Sequence, residues 1–498
     1  MNRDLKVALW LFVLSTVIYA ATAGQRLQRH STDTHFVYQA ENWLHHRLDL
    51  GGPPPHQNDW AEVETLTLRG GRKVSGMFLR ANPVRFRTLS GFVDEIQATE
   101  IVARDKKYYV SFPPFPAVVM LPLVAIFHHR TNDVIISVVL AGMVPALLYL
   151  LLRRLPRLLS PAVPETPRDE APDLWLTLLF GVGSVFYFSA VQGQVWFVAH
   201  VVASLLAVLY LLCLWPLRPF VSGLLCGALF LTRPQMAAMG LLFVLELVRK
   251  EYGTTAYPSL KELPRSLGQH LRGLFWPVVM FAVPAATLAG LGMIHNYLRF
   301  GRFLEFGHSY LQTIQADNIQ RFGLMNYQFL PRNLATALTL LPKLVAGFPY
   351  VQISYHGLAL WFTTPALLYL LWPEHSLWRA IGAGCASSAT SSDGSASVAE
   401  GEASPRSQQL RLALWVTIVP IALASLLYQN SGFVQFGYRF SLDYMVLLVV
   451  LLRLGSPGVA ASPLFRACVI WGVMVNLFGA ISFNRMGVFY FNGFFPVN

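Results

Sequence analysis

A few charged residues stand where charge is expensive. Asp33 follows the first apolar segment, in the stretch "STDTHFVYQAENWLHHRLDL". Phe36, Ala40 and Trp43/Leu44 recur there at helical spacing, so an amphipathic helix resting on a lipid surface is expected. Ser31, Thr32 and Asp33 precede it as ready N-cap residues. Asp33 therefore either caps that helix or faces a cavity as a base or an acceptor-orienting carboxylate. Arg233 lies inside an apolar run, where a cation marks either a function or a side chain snorkelling to the interface. Arg439 opens a late apolar run, and Asp443 four residues on is spaced to pair with it on a helix. Lys106 and Lys107 are a second cationic pair, His35 stands beside Asp33, and Asn296 closes a span. His200, on an apolar helix, reads as a packing residue.

Composition fixes the solvent around these groups. Of the 498 residues 54% are hydrophobic and only 13% charged, and the mean hydropathy is +0.46. A soluble domain carries about 25% charged residues. Many apolar runs approach the roughly 20 residues that span a bilayer as a helix. The net charge of +12 sits mostly in loops between them, which fits membrane topology and anionic lipid or phosphate partners rather than nucleic acid. The four cysteines build no disulfide framework. "MNRDLKVALWLFVLSTVIYAATAG" reads as an uncleaved signal anchor, because "RLQRH" follows where a mature chain would begin.

The expected fold is mostly α: a polytopic transmembrane protein of about eleven spans. They cover Leu5–Ala23, Val134–Leu152, Leu174–Ala190, Val195–Trp215, a pair from Phe220 to Val248 broken at Thr232–Pro234, Leu274–His295, Gly357–Trp372, Leu412–Tyr428, Phe440–Leu454 and Ala467–Phe483. Pro113–Phe127 is short and proline-interrupted. Placing it in the interface makes "RRLPR" cytoplasmic, as the positive-inside tendency prefers. The N-terminus is then cytoplasmic and the C-terminus outside. A transmembrane module spans 1–380, with outer loops at 24–133 and 296–356. Within the first, "LTLRGGRKVSGMFL" has the pattern of a β-hairpin. Residues 385–407, rich in Ser, Ala and Gly, are expected to be a disordered cytoplasmic linker, and 410–498 to carry the last transmembrane helices.

The stretch around Asp33 resembles the first outer loop of the GT-C class of membrane glycosyltransferases, which includes protein O-mannosyltransferases and lipid A aminoarabinose transferases. Further along, "YYVSFPPFPAVVMLP" resembles their juxtamembrane PP segment and "GALFLTRPQMAAM" their LTRP helix break. "HNYLRFGRFLEFGH" resembles the motif after their middle span, and "FGYRFSLDYMVLL" the one leading into a late span. Each pattern is weak alone; their order over about 1–454 carries the likeness, without selecting a family inside the class. The resemblance implies a bacterial inner-membrane enzyme with juxtamembrane helices in its large first outer loop. It would move a sugar from a polyprenyl-phosphate donor to a lipid, glycan or protein acceptor on the outer side. By analogy Asp33 acts on the acceptor as the catalytic carboxylate. His35, Lys107, Arg233, Asn296 and Arg439 are the expected substrate-binding residues, since a phosphate leaving group needs cations or donors. Some relatives carry a lysine just before the PP pair; here Ser111 and Phe112 stand there, which puts that phosphate contact in doubt. The sequence has no HExxH, no paired CxxC and no P-loop, so neither a metal nor a cofactor is expected beyond the lipid-linked sugar substrate. Some members of the class use a divalent cation, but nothing in this sequence calls for one. A lipid-linked sugar flippase and an inactive scaffold of the same fold are the rival readings.

Overall fold

The computed structural model describes residues 2–79, 82–159, 169–252, 263–313, 316–371, 405–455, 460 and 462–494. The chain is mostly helical. Among the described residues six helical stretches are long and apolar enough to cross a membrane. Their helices are α1 (Arg3–Ala23), α4 (Asp133–Leu159), α7 (Val195–Leu214), α10 (Leu263–Phe300), α14 (Pro405–Leu427) and α16 (Pro463–Ser482). The span α7 is apolar all round and buried nearly throughout, as a central helix must be. The shorter α15 (Leu442–Leu454) is equally buried and packs against it.

Other expected spans are interrupted. Residues 174–190 form α5 (Ala171–Gly181) and α6 (Phe186–Ala190), separated by a Gly-containing turn. The pair α8 (Pro219–Phe230) and α9 (Met239–Tyr252) breaks around Thr232–Pro234 as the sequence predicts. The expected span 357–372 is not one helix. It holds α13 (Leu360–Thr363) and a 3-10 turn, Pro365–Leu371. Pro365 offers no N–H and drives Thr364 out of helical geometry, to φ −144° and ψ 65°. Residues 385–404 of the expected linker lie outside the described residues, and 405–407 begin α14.

The two ends of the bundle differ. At one end Arg153 pairs with Asp4 and Asp173, each at 3.3 Å, and Arg453 reaches Asp173 at 2.5 Å. At the other end the tail after α16 meets the residues after α1. Arg26 donates to Phe483 O at 2.5 Å, and Arg485 donates to Thr22 O at 2.8 Å. The 13-residue α3 (Phe115–Phe127) has both ends at this second pole. Phe115 N donates to Leu231 O at 3.0 Å, and His128 Nδ1 lies 3.1 Å from Glu41 Oε1.

Over this pole sits a feature the sequence signalled only in part. The expected hairpin is β1 (Trp60–Leu68) and β2 (Lys73–Leu79), turning at Gly70 and Gly71, whose φ values of 95° and 82° suit glycine. It belongs to a five-stranded antiparallel sheet, ordered β4-β3-β2-β1-β5, with β3 (Asn82–Thr88), β4 (Val93–Glu95) and β5 (Ile101–Val110). One face packs Ala61, Val63, Met77 and Tyr109 on Phe300 at the end of α10. The helix α2 (His35–Leu44) buries Phe36, Val37 and Ala40 against α3. The remaining elements at this pole are α11 (Ala316–Phe322), α12 (Leu330–Leu338) and a three-stranded sheet of β6 (Lys343–Leu344), β7 (Val351–Ser354) and β8 (Tyr490–Phe491).

Close helix contact supplies one prediction. A Cβ at Gly223 on α8 would fall 2.0 Å from Phe281 O on α10, whereas one at Gly290 would meet nothing within 4 Å. Gly223→Ala is expected to cost about 1–3 kcal/mol. Thermal unfolding in detergent checks it, with Gly290→Ala as the silent control.

Candidate functional site

A cavity of about 420 Å³ opens at the sheet-bearing pole. Most of its lining is apolar, including Phe112, Phe230, Leu304, Phe306, Leu311 and Phe440. Into this surface project Asp59, Arg233, Arg439, His200, His308 and Tyr428. A few convergent polar groups in an apolar cleft are the usual character of a ligand site.

Asp59 immediately precedes β1 and is held from several sides. Its φ is 54°, a left-handed conformation that aspartate tolerates better than most residues. Ser111 Oγ donates to Asp59 O at 2.6 Å, and His35 Nε2 donates to Asn58 O at 2.9 Å. Trp196 Nε1, in the first turn of α7, donates to Asp59 Oδ2 at 2.9 Å. Burial pushes the Asp59 carboxyl up to about 6; the Trp196 bond opposes this and the nearby Asp33 carboxylate adds to it.

Asp33 is neither the cap nor a lining residue of this cavity. The N-cap of α2 is Thr34, which makes no side-chain cap bond. The Asp33 carboxylate is buried and accepts from Asn58 Nδ2 at 2.9 Å, Thr32 Oγ1 at 2.7 Å and Gln194 Nε2 at 2.8 Å. Its carbonyl accepts from Val195 N at 3.1 Å. Asp33 thus ties the start of α7 to the loop that presents Asp59.

The expected ion pair between Arg439 and Asp443 is not formed. Arg439 lies in a 3-10 turn before α15 begins at Leu442, so the spacing of a regular helix does not apply. Asp443 instead takes Arg233 in a two-pronged grip, Nε–Oδ1 at 3.0 Å and Nη2–Oδ2 at 2.8 Å. Gln235 donates to the same carboxylate at 2.6 Å, and His200 Nδ1 lies 3.2 Å from it. Arg233 is therefore anchored rather than snorkelling freely. Arg439 is buried and packs over the rings of Phe197 and Phe440, with its Nε lacking a hydrogen-bond partner among the described residues. Burial and the neighbouring Arg233 lower it to about 9, so it stays charged at neutral pH. It faces the cavity, and among the described residues no carboxylate lies within salt-bridge distance of it.

Of the other expected binding residues, none lines the cavity. His35 stacks on Trp60 with ring centroids 3.9 Å apart, and burial lowers it to about 4, so it is neutral at pH 7. Asn296 is tied to Phe303 O at 3.0 Å and to Arg299 at 2.8 Å. Lys107 projects from β5 into solvent and lies 3.7 Å from Asp49. Among the described residues no group of three or more His, Cys, Asp or Glu could hold a metal ion.

The Asp59 shift predicts a pH effect. The folded value of about 6 lies above the ordinary 3.8, so the folded state holds this proton more tightly. That contribution is fully present below pH 3.8 and is lost as pH rises through 6, by about 3 kcal/mol in all. Asp59→Asn is expected to remove this slope from unfolding measured between those pH values. No protein-family model, curated protein or solved structure matches this chain.

Proposed function

We propose that the chain is a GT-C-like glycosyltransferase that takes a sugar from a polyprenyl-phosphate donor and delivers it to a lipid, glycan or protein acceptor outside a bacterial inner membrane. The observation that carries this reading is the presence, in one largely apolar cavity, of a carboxylate of raised proton affinity and an arginine that has no salt-bridged carboxylate among the described residues. An apolar lining suits a lipid-linked substrate. Arg439 and the anchored Arg233 suit a phosphate leaving group, whose charge grows as the glycosidic bond breaks. Asp59 suits the acceptor hydroxyl, from which a base must take a proton. In this reading Asp59 takes the role that the resemblance gave to Asp33, and Asp33 holds its loop in place.

Eleven passes remain our reading of the topology. Its support is that α1 begins at the ion-pair pole and α16 ends at the sheet pole, which requires an odd number of crossings. Both ends of α3 at the sheet pole support its lying in the interface. On this reading the sheet pole is extracytoplasmic.

The test is transfer in membranes from cells making the wild-type or Arg439→Met protein, supplied with a panel of radiolabelled polyprenyl-phosphate sugars. Labelled product is expected from the wild type. The variant should lose about 10–100-fold in kcat/KM, the worth of hydrogen bonds to a charged group. Equal transfer by both proteins would remove Arg439 from the donor site. Absence of product from wild type across the panel would sink the glycosyltransferase reading for those donors.

A further inference from the structure

The three-stranded sheet at the outer pole carries an apolar tip. Between Asn333 and Gly357, where the expected outer loop ends, the sequence holds a single Lys, Arg, Asp or Glu, Lys343. A water-facing loop would carry several, since about a quarter of residues in soluble proteins are charged. The hairpin β6–β7 pairs Lys343 with Gln352 and Leu344 with Val351. Its turn is "VAGFPY", closed by Val345 N to Tyr350 O at 3.0 Å and Tyr350 N to Gly347 O at 2.8 Å. Leu344 is 81% exposed, Phe348 75% and Tyr350 61%.

This tip continues the outer surface of the last helix. Ile470, Met474, Leu477 and Ile481 recur at helical spacing on α16 and are all exposed. The buried side of α16 reaches the tip through two ring contacts. Phe478 lies 5.2 Å from Phe489, and Phe489 lies 6.3 Å from Phe348. Val488, exposed between them, extends the apolar surface. A helix stripe of this kind in a polytopic chain faces acyl chains, and the tip prolongs it.

We infer that the 343–352 hairpin dips into the outer leaflet and anchors the outer loops to the lipid surface. Its backbone limits the depth. Among the described residues the N–H groups of Ala346, Gly347 and Phe348 make no backbone hydrogen bond, which hydrocarbon does not tolerate, so the tip rests at the headgroup–acyl boundary, about 5–10 Å in. Phe348 and Tyr350 suit that boundary. Lys343 can keep its ammonium in the headgroups while its stem lies among lipids. The inference does not depend on the catalytic reading, because it concerns no residue of the cavity.

The experiment uses the full chain, its four native cysteines replaced by alanine, in nanodiscs of phosphatidylethanolamine and phosphatidylglycerol. Leu344→Cys, Phe348→Cys and, at the start of β2, Lys73→Cys each carry a nitroxide label. Collision rates with oxygen, which partitions into lipid, and with a water-soluble nickel chelate report depth. The oxygen-to-nickel ratio at 344 and 348 is expected to exceed that at 73 several-fold. Ratios equal to that at 73 would overturn the inference. So would a short spin–spin distance between two copies labelled at 348, which would assign the patch to self-association.

Discussion

If the chain transfers a sugar as proposed, Asp59→Asn is expected to lower kcat by about 10²–10⁴-fold, the usual worth of a positioned general base. The substitution keeps the shape of the side chain and the option of accepting from Trp196 Nε1, which lies 2.9 Å from Oδ2 in the native protein. The protein should therefore fold. The wild-type rate should also rise with pH through about 6, because the base acts only when ionised and burial holds its proton to that value. Asp33→Asn separates the two carboxylates. Its carboxylate receives three side-chain donors, from Asn58, Thr32 and Gln194, and an amide presents its own N–H groups to one or more of them. A loss of about 1–3 kcal/mol in stability is expected. Transfer by the folded Asp33→Asn fraction should persist at a reduced rate. Its acid limb should move to lower pH, since the Asp33 charge helps to raise Asp59. The opposite pattern, with Asp33→Asn inactive at every pH and Asp59→Asn active, returns the base to Asp33.

Asp443→Ala is expected to have the largest effect on stability, about 3 kcal/mol, because it removes the fully buried partner of Arg233, whose side chain is only 20% exposed. Native Asp443 has no exposed side-chain surface and answers Arg233 in two-pronged geometry, with Gln235 added. Thermal unfolding of the purified protein in detergent measures it. Removing both charges, as Arg233→Met with Asp443→Leu, should recover much of that loss, since a well-packed apolar pair often matches a buried ion pair. The double variant should nevertheless stay impaired in transfer if Arg233 contributes to binding the donor phosphate. A double variant as unstable as Asp443→Ala would show that shape, not charge, holds this corner.

The sequence by itself determined the solvent and most of the helices. Hydropathy summed over about twenty residues is a local property, and α1, α7 and α16 follow from it within a few residues, while α4 runs on to Leu159, past the expected end at Leu152. The break at Thr232–Pro234 was equally legible, because proline acts on its own backbone. The hairpin at Gly70–Gly71 showed through its turn, but the strands that complete the sheet did not. Edge pairing such as that of β1 with β5 joins residues some forty positions apart, and no local pattern records it. The site followed the same division. Arg233 and Arg439 stood out because a cation in or beside an apolar run is conspicuous wherever it ends up. Asp59 lay unnoticed in "HQNDWAE", a polar stretch with no period. Only the tertiary structure decided that its carboxylate, and not that of Asp33, lines the cavity. The reason is a set of bonds between distant segments: Ser111 to the Asp59 carbonyl, His35 to that of Asn58, Trp196 to the carboxylate itself. Each partner is fixed by chain packing, which a single sequence specifies physically but does not display.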